Sequence, residues 1–133
     1  MGIRSQLNRL STVTTVDPDQ HTASIAAGIT VDSTTANSQY VVAIVGTITD
    51  GTHTPTLQHA ADDGTGTPDT WANVPAAQIK GGVFAALASD VNQERAYIGL
   101  NRFLRVNTVV AGATTGGEYA IVVVLGDPRK TPL

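Results

Sequence analysis

The segment YVVAIVGTIT, residues 40–49, carries the strongest strand signal in this sequence. Its alternate positions are apolar on both sides of an extended chain: Tyr40, Val42, Ile44 and Ile48 on one face, and Val41, Ala43 and Val45 on the other. Successive side chains of a β-strand point to opposite faces of the sheet, so both faces of this strand need cover. The stretch predicts a strand that is central in its sheet or covered on both sides.

A turn signal follows this strand directly. Asp50-Gly51 is typical of the type I′ turn of a two-residue hairpin, because both residues tolerate positive φ angles. Residues 52–59 then continue as an extended segment. The pattern predicts that residues 40–49 and 52–59 pair as a β-hairpin.

The remaining chain is divided by turn signals into short segments. Residues 11–16 predict a first strand that ends at Asp17-Pro18-Asp19, because proline cannot donate to a β-ladder, and residues 24–31 are a weaker strand candidate. Residues 61–70 (ADDGTGTPDT) predict a loop, residues 71–74 an extended segment and residues 75–80 one helical turn. Residues 95–100, 103–110 and 118–125 predict an antiparallel meander whose last strand is apolar on both faces.

Together these segments predict an all-β fold, a two-sheet antiparallel sandwich or jelly roll of about eight short strands. A chain of 133 residues is long enough for one domain with one core. We divide it into an N-terminal arm (residues 1–10), the β-sandwich domain (residues 11–126) and an extended C-terminal tail (residues 127–133). The helical share is expected to be under about a tenth, against about a third in an average protein.

The composition restricts the partners of this domain. Only 14% of residues are charged although 41% are hydrophobic, and charge is the usual means of keeping a surface unassociated. We therefore expect neighbours to cover much of the surface. The net charge is −3 and the eight Lys and Arg form no run, which argues against nucleic acid as a partner. No stretch approaches the roughly 20 apolar residues of a membrane span, and no signal peptide begins the chain, so we expect no membrane partner.

The loop at residues 61–70 contains the one motif that suggests a metal. Asp62 and Asp63 precede Gly64, and paired carboxylates in a loop can bind calcium. The alternative is that the two Asp residues and the Gly shape a turn, which Trp71 anchors in the core. We favour the turn, because two carboxylates fall short of the six to eight oxygens that calcium takes.

Catalytic patterns are missing from the sequence. His21, His53 and His59 stand in no metal-ligand spacing and beside no nucleophile motif, so we expect them to be polar strand or loop residues. Glu94 and Glu118 lie on different predicted strands, and the chain has no cysteine, no phosphate-binding glycine loop and few aromatics to line a sugar cleft. We predict a protein that is not an enzyme, with no catalytic, metal or cofactor site and no cofactor.

Cationic residues concentrate towards the C-terminus, where the last 39 residues hold Arg95, Arg102, Arg105, Arg129 and Lys130. These residues predict solvated strand faces. A second interpretation is a rim that pairs with an acidic partner surface.

Several strings of this sequence resemble small proteins encoded among the head genes of tailed bacteriophages. They are residues 48–64 (ITDGTHTPTLQHAADDG), 70–74 (TWANV), 95–99 (RAYIG), 102–106 (RFLRV) and 110–132 (VAGATTGGEYAIVVVLGDPRKTP). The resemblance implies a capsid decoration (cement) protein: β-rich, trimeric, made in the host cytoplasm and seated on the virion exterior against the major capsid protein. We expect the arm, residues 1–10, to be disordered in the free protein and to become ordered against that capsid protein. The alternative is a frayed terminus with no role.

One other class of function stays open, a tail-associated or surface carbohydrate-binding module. Such a module needs exposed aromatic rings, and the candidates are Trp71, Tyr40, Tyr97 and Tyr119. Three of these lie in strands that we expect to be packed.

Overall fold

The structure is a computed structural model that describes residues 9–128. Most of the predicted arm (residues 1–8) and the end of the predicted tail (residues 129–133) lie outside the described residues. The strands are β1 (Ser11–His21), β2 (Val31–Asp32), β3 (Ala36–Ile48), β4 (Thr52–Ala60), β5 (Ala72–Asn73), β6 (Ile79–Lys80), β7 (Gln93–Tyr97), β8 (Phe103–Ala111) and β9 (Gly117–Pro128).

The predicted fold class is confirmed, since the strands form two antiparallel sheets. Sheet A has the order β1-β9-β3-β7-β6, and sheet B has the order β2-β8-β4-β5. The pairs are nested: β1 with β9, β2 with β8, β3 with β7 and β4 with β5. The first half of the chain therefore lies against the second half as one long hairpin, which rolls up so that successive pairs fall in alternate sheets. This is the strand arrangement of a jelly roll.

The stretch at residues 40–49 lies within β3, which is central in sheet A as predicted. It pairs with β9 on one side and β7 on the other. Val41 and Ala43 are fully buried against Ile121 and Val123 of β9, which is also internal to the sheet. The core between the sheets is completed by Leu57, Leu104 and Val106 from sheet B.

The predicted hairpin of residues 40–49 and 52–59 is wrong. β4 belongs to sheet B and pairs with β8 and β5, so the chain crosses from one sheet to the other at Asp50-Gly51. Only Gly51 takes a positive φ (83°), whereas a type I′ turn needs positive φ at both central residues. The Asp50 carboxylate instead accepts backbone N–H groups of Thr114, Thr115 and Gly116, which joins this crossing to the one between β8 and β9.

The predicted meander of the last three strands is also wrong. β7 and β9 lie in sheet A on either side of β3, and β8 lies in sheet B. Each connection therefore crosses between the sheets instead of turning back within one. The strand boundaries were close to those predicted, but the pairing is set by long-range partners.

The predictions for residues 11–31 need two corrections. β1 does not end before Pro18 but continues to His21, with register shifts between Thr14 and Val16 and between Val16 and Asp19. Proline is tolerated there because β1 is an edge strand and the shifts free its position from the ladder. Residues 24–31 hold only an isolated bridge, Ile25 to Thr108, before the short strand β2 begins at Val31.

Helical structure in residues 9–128 is limited to one 3-10 turn, Ala76–Gln78, which confirms the helical turn predicted within residues 75–80. No helix of this described range has the length and hydropathy required to cross a bilayer.

Candidate functional site

The outer face of sheet A is apolar along its two central strands. Side chains alternate along β3 and β9, so every second residue points outward, away from the core. On this outer face the register places Tyr40 opposite Val124, Val42 opposite Val122 and Ile44 opposite Ala120. Most of these side chains are half-buried, and Ile44 is 47% exposed. No element among the described residues packs over this strip. An apolar strip at the centre of an outer sheet face is a feature of surfaces that bind a partner.

Acidic groups border the strip along one side and at one end. Glu94 of β7 lies opposite Val42, beside the strip, where it hydrogen-bonds the Tyr40 hydroxyl and raises the pKa of that tyrosine. Glu118 and Asp19 lie at the Ile44 end, where β1 leaves its regular register. The strip therefore offers apolar contact with carboxylates on its border.

The outer face of sheet B is polar and internally hydrogen-bonded. The Gln58 amide oxygen accepts from Arg105 Nε (2.8 Å) and from Asn107 Nδ2 (2.9 Å), and Gln58 Nε2 donates to Asn73 Oδ1 (2.9 Å). Val109 is an exception, an apolar side chain that is 59% exposed. The two outer faces thus differ in kind.

Trp71 borders the face of sheet B instead of anchoring its loop in the core, so that part of the prediction is wrong. The indole is half-exposed, and the Arg105 guanidinium lies 4.3 Å above the ring centroid. A cation stacked on an aromatic face is attracted to the ring quadrupole. The ring face that a sugar would use is therefore already occupied on one side.

Two of the three histidines join the sheets. His53 of β4 is fully buried, and its Nδ1 lies 3.0 Å from the Tyr119 hydroxyl of β9, while its Nε2 lies 3.0 Å from the carbonyl oxygen of Asp50. A carbonyl only accepts, so Nε2 carries the proton and Nδ1 accepts from Tyr119. His53 is a strand residue, as predicted, but the prediction did not place it in the core, where it is fully buried.

His59 makes the equivalent bridge at the other end of β4. Its Nδ1 lies 2.8 Å from the Tyr97 hydroxyl of β7, whose oxygen also accepts the backbone N–H of Asn101 (3.0 Å). Burial lowers the pKa of His59 and raises that of Tyr97, which keeps both groups neutral. The hydroxyl therefore donates to a neutral imidazole.

His21 lies at the end of β1, where its Nε2 meets the carbonyl oxygens of Asp17 (2.9 Å) and Tyr119 (3.1 Å). Its ring is 4.4 Å from that of Tyr119, so Tyr119 contacts both His21 and His53. The structure places no nucleophile in this group with a free base beside it, because both nitrogens of His53 are used in core hydrogen bonds. Glu94 and Glu118 lie on strands separated by β3, Glu94 beside the middle of the strip and Glu118 at its Ile44 end.

Asp62 and Asp63 hold their own loop, in the manner predicted for turn formers. Asp63 Oδ1 accepts from the Thr65 backbone (2.8 Å) and hydroxyl (2.6 Å), and Asp62 Oδ1 accepts from the Gly66 backbone (2.8 Å). Asp62 also faces Arg102 at 3.4 Å. Within residues 9–128 no three His, Asp or Glu side chains gather as a metal site would require. That the loop does not bind calcium stays a prediction.

Arg95, Arg102 and Arg105 have partners within the chain. Arg102 binds Asp32 at 2.8 Å and holds the pKa of that carboxyl well below its usual range. Arg95 donates to the Gly82 carbonyl and lies over the ring of Phe84. These contacts fit solvated, internally paired cations better than a basic rim reserved for a partner. Arg129 and Lys130 lie outside the described residues.

Comparison with known proteins gives no family. No protein-family model matches the chain, and no curated protein does. Among solved structures, the infectious bursal disease virus Gx strain gives 16% identity and a TM-score of 0.43, covering 93% of this chain and 34% of that one. The structure of a T13 particle of the same virus gives 16% identity and a TM-score of 0.42, covering 90% of this chain and 31% of that one. A protein of Bacillus endospore appendages gives 13% identity and a TM-score of 0.32, covering 96% and 97%. The chain spans about a third of the viral chains.

Proposed function

We propose that this protein is a non-enzymatic structural component of a virion, a decoration protein that binds the outer surface of a phage capsid and stabilises the shell. The observation that carries the proposal is the apolar strip on the outer face of sheet A. Jelly rolls occur in both capsid proteins and lectins, so the fold alone does not separate a decoration protein from a carbohydrate-binding module. The two functions must be distinguished by the surfaces of the domain. The sequence resemblance to phage head proteins supports the same choice.

The strip suits protein–protein contact better than sugar binding. Its side chains are aliphatic apart from Tyr40, whereas a sugar site needs open aromatic rings and directed polar groups. Tyr97 and Tyr119 are buried (4% and 3% exposed) and are engaged with histidines, and Trp71 is stacked on Arg105. The aromatic positions therefore favour the decoration protein over the carbohydrate-binding module.

The proposal includes a homo-oligomer, for which the resemblance implies a trimer. Repeated weak contacts over a symmetric shell add up through avidity, so each copy needs only a modest interface. Light scattering would then give three times the 13.7 kDa of one chain. A clean monomer at high concentration that also fails to bind capsids would contradict the proposal.

Two exposed aliphatic residues on opposite faces provide a matched test. Ile44 lies on the strip and Val109 on sheet B, and they are 47% and 59% exposed. Ile44→Lys should weaken binding to capsids that lack the protein by about tenfold or more, because desolvating the added ammonium in the contact costs at least ~1.4 kcal/mol, even with the Glu118 carboxylate nearby. Val109→Lys should bind like the unaltered protein.

Binding is measured by co-sedimentation with empty capsids, and circular dichroism checks that both variants keep the β fold. Equal binding by the two variants would show that the strip is not the surface that contacts the capsid. Binding lost only in Val109→Lys would assign the contact to sheet B.

A further inference from the structure

Leu100, in the connection between β7 and β8, is an apolar side chain that projects from the end of the sandwich. It is 100% exposed, more than any other large apolar residue among those described. The N–H of Ile98 donates to the Gln78 carbonyl oxygen (2.9 Å). The N–H of Asn101 donates to the Tyr97 hydroxyl (3.0 Å). These two bonds fix the backbone before and after Leu100, so its exposure does not come from a loose loop.

Gly99 holds the same loop close to the domain. A Cβ on Gly99 would overlap the Tyr97 hydroxyl and would come 2.5 Å from Gln78 Oε1. This close packing leaves the loop no room to fold Leu100 back onto the sandwich. Ile98, on the other side of Gly99, is 59% exposed and adds an apolar flank to the projection.

An apolar pocket of about 210 Å³ lies at the lateral side of the sandwich, where β5 and β6 end the two sheets. Its lining is largely aliphatic and aromatic: Leu57, Val74, Ile79, Val83 and Phe84. Val83 is 61% exposed and so lies at the rim. An apolar cavity of about 150 Å³ is enough to hold benzene, so this pocket has room for one leucine side chain.

The projection and the pocket carry opposite charge. Beside the projection, Arg102 pairs with two carboxylates, those of Asp32 (2.8 Å) and Asp62 (3.4 Å), which leaves a net negative charge there. At the pocket, Arg95 lies over the ring of Phe84 and donates only to uncharged oxygens among the described residues, so its positive charge is not neutralised. No Asp or Glu is among the described residues that line the pocket. The pocket of one copy is thus complementary in charge to the projection of another.

The positions of the two features favour a closed ring. A projection and a pocket at different places on one chain make a heterologous contact, which closes into a ring if each copy is rotated suitably against the last. Here one feature is at the strand ends and the other is at the lateral side, so successive copies turn. Features on opposite sides of the domain would instead extend a filament.

We propose that Leu100 of one copy inserts into the pocket beside Val83 of the next copy, and that three copies close a ring through this one repeated contact. The inference rests on the proposed function, because it supplies the contact surfaces of the proposed trimer. Both surfaces lie on the perimeter of sheet A and not on its outer face. The ring therefore leaves the apolar strip of every copy uncovered, with the three strips facing one side.

Paired cysteines test the contact without a capsid. The chain has no cysteine, so Leu100→Cys and Val83→Cys introduce its only thiols. With both changes in one chain, mild oxidation should give disulfide-linked trimers on a non-reducing gel, because each contact joins position 100 to position 83. Each single variant should stay unlinked, and a mixture of the two should give linked dimers. Leu100→Cys combined with Val109→Cys, on the outer face of sheet B, is the control and should stay unlinked.

A second variant measures the strength of the contact. Leu100→Asp changes a fully exposed side chain, so dichroism should show an unchanged fold. Light scattering should show the trimer dissociating at a concentration about tenfold higher or more, because the buried leucine side chain is lost.

Three results would overturn the ring. They are linkage in Leu100→Cys alone, no linked trimer in the double variant, and a trimer that Leu100→Asp does not weaken. Each leaves the proposed function in place, since co-sedimentation with empty capsids tests that function separately. A ladder of linked species that continues past the trimer would show an open filament and would also overturn the ring.

Discussion

The three tyrosines of the chain allow the bridges between the sheets to be tested by removal of one oxygen atom at a time. Tyr119→Phe keeps the ring and its contacts with His21 and His53 but removes the hydroxyl that donates to His53 Nδ1 (3.0 Å). His53 is fully buried, and its other nitrogen is committed to the Asp50 carbonyl. The change therefore leaves a buried acceptor without a donor.

A buried unsatisfied polar group costs about 1 to 3 kcal/mol, so we expect Tyr119→Phe to lower the Tm by about 4 to 12 °C. Tyr97→Phe removes hydrogen bonds to His59 and Asn101, but both residues are only half-buried and water can replace the hydroxyl. Its cost should be smaller, about 1 kcal/mol. Tyr40→Phe is the control on the outer face and should cost little.

Urea unfolding followed by circular dichroism measures all three variants, and equal slopes confirm that the unfolding transition is the same. The expected order of destabilisation is Tyr119→Phe, then Tyr97→Phe, then Tyr40→Phe. A cost of Tyr119→Phe below that of Tyr40→Phe would show that the hydrogen bond to His53 does not stabilise the sandwich.

Three further predictions concern pH and backbone geometry. Burial lowers the pKa of His59, so the unfolded chain takes up a proton before the folded chain does as the pH falls. Urea midpoints should therefore be highest above about pH 6.5 and should fall as the pH drops through the folded pKa. The fall should be smaller in His59→Gln. The backbone N–H groups of Gly116, Thr115 and Thr114 lower the pKa of Asp50, so its contribution to stability is present above about pH 3.9 and lost on acidification. Asp50→Asn should lower the urea midpoint at pH 7 and should make the midpoint depend less on pH in the acid range. Gly116→Ala should prevent folding, as judged by dichroism, because its Cβ would overlap the His21 carbonyl oxygen, whereas Gly66→Ala, also at positive φ but in open space, should fold.

Strand positions and burial could be predicted from the sequence because they depend on local alternation. The strands β3 and β9 were predicted as internal because both of their faces are apolar, and they are internal. Pairing could not be predicted in this way. Asp50-Gly51 gives the same local signal for a hairpin and for a crossing between sheets, and what separates the two here is a contact with Gly116, 66 residues away.

The histidines likewise show that contacts between distant residues could not be predicted from local sequence. Residues 52–59 alternate strictly, with His53, Leu57 and His59 on one face and threonines on the other, so period-two reasoning could have placed both histidines inward. Residue type alone does not decide the matter, because histidine is intermediate in average burial. Only the opposite sheet, with a tyrosine facing each imidazole, explains why a buried histidine is tolerated.

The edges of the sheets indicate how this domain associates. A sheet edge with free N–H and carbonyl groups invites strand addition, and natural proteins prevent it with short or irregular edge strands. Three of the four edges here are strands of two residues, β2, β5 and β6, and the fourth, β1, is interrupted by two register shifts and Pro18. Strand addition is therefore disfavoured at every edge among the described residues. The apolar strip is by contrast free of covering elements among the described residues, so under the proposed function the contact with a shell should form through the face of sheet A and not through strand addition.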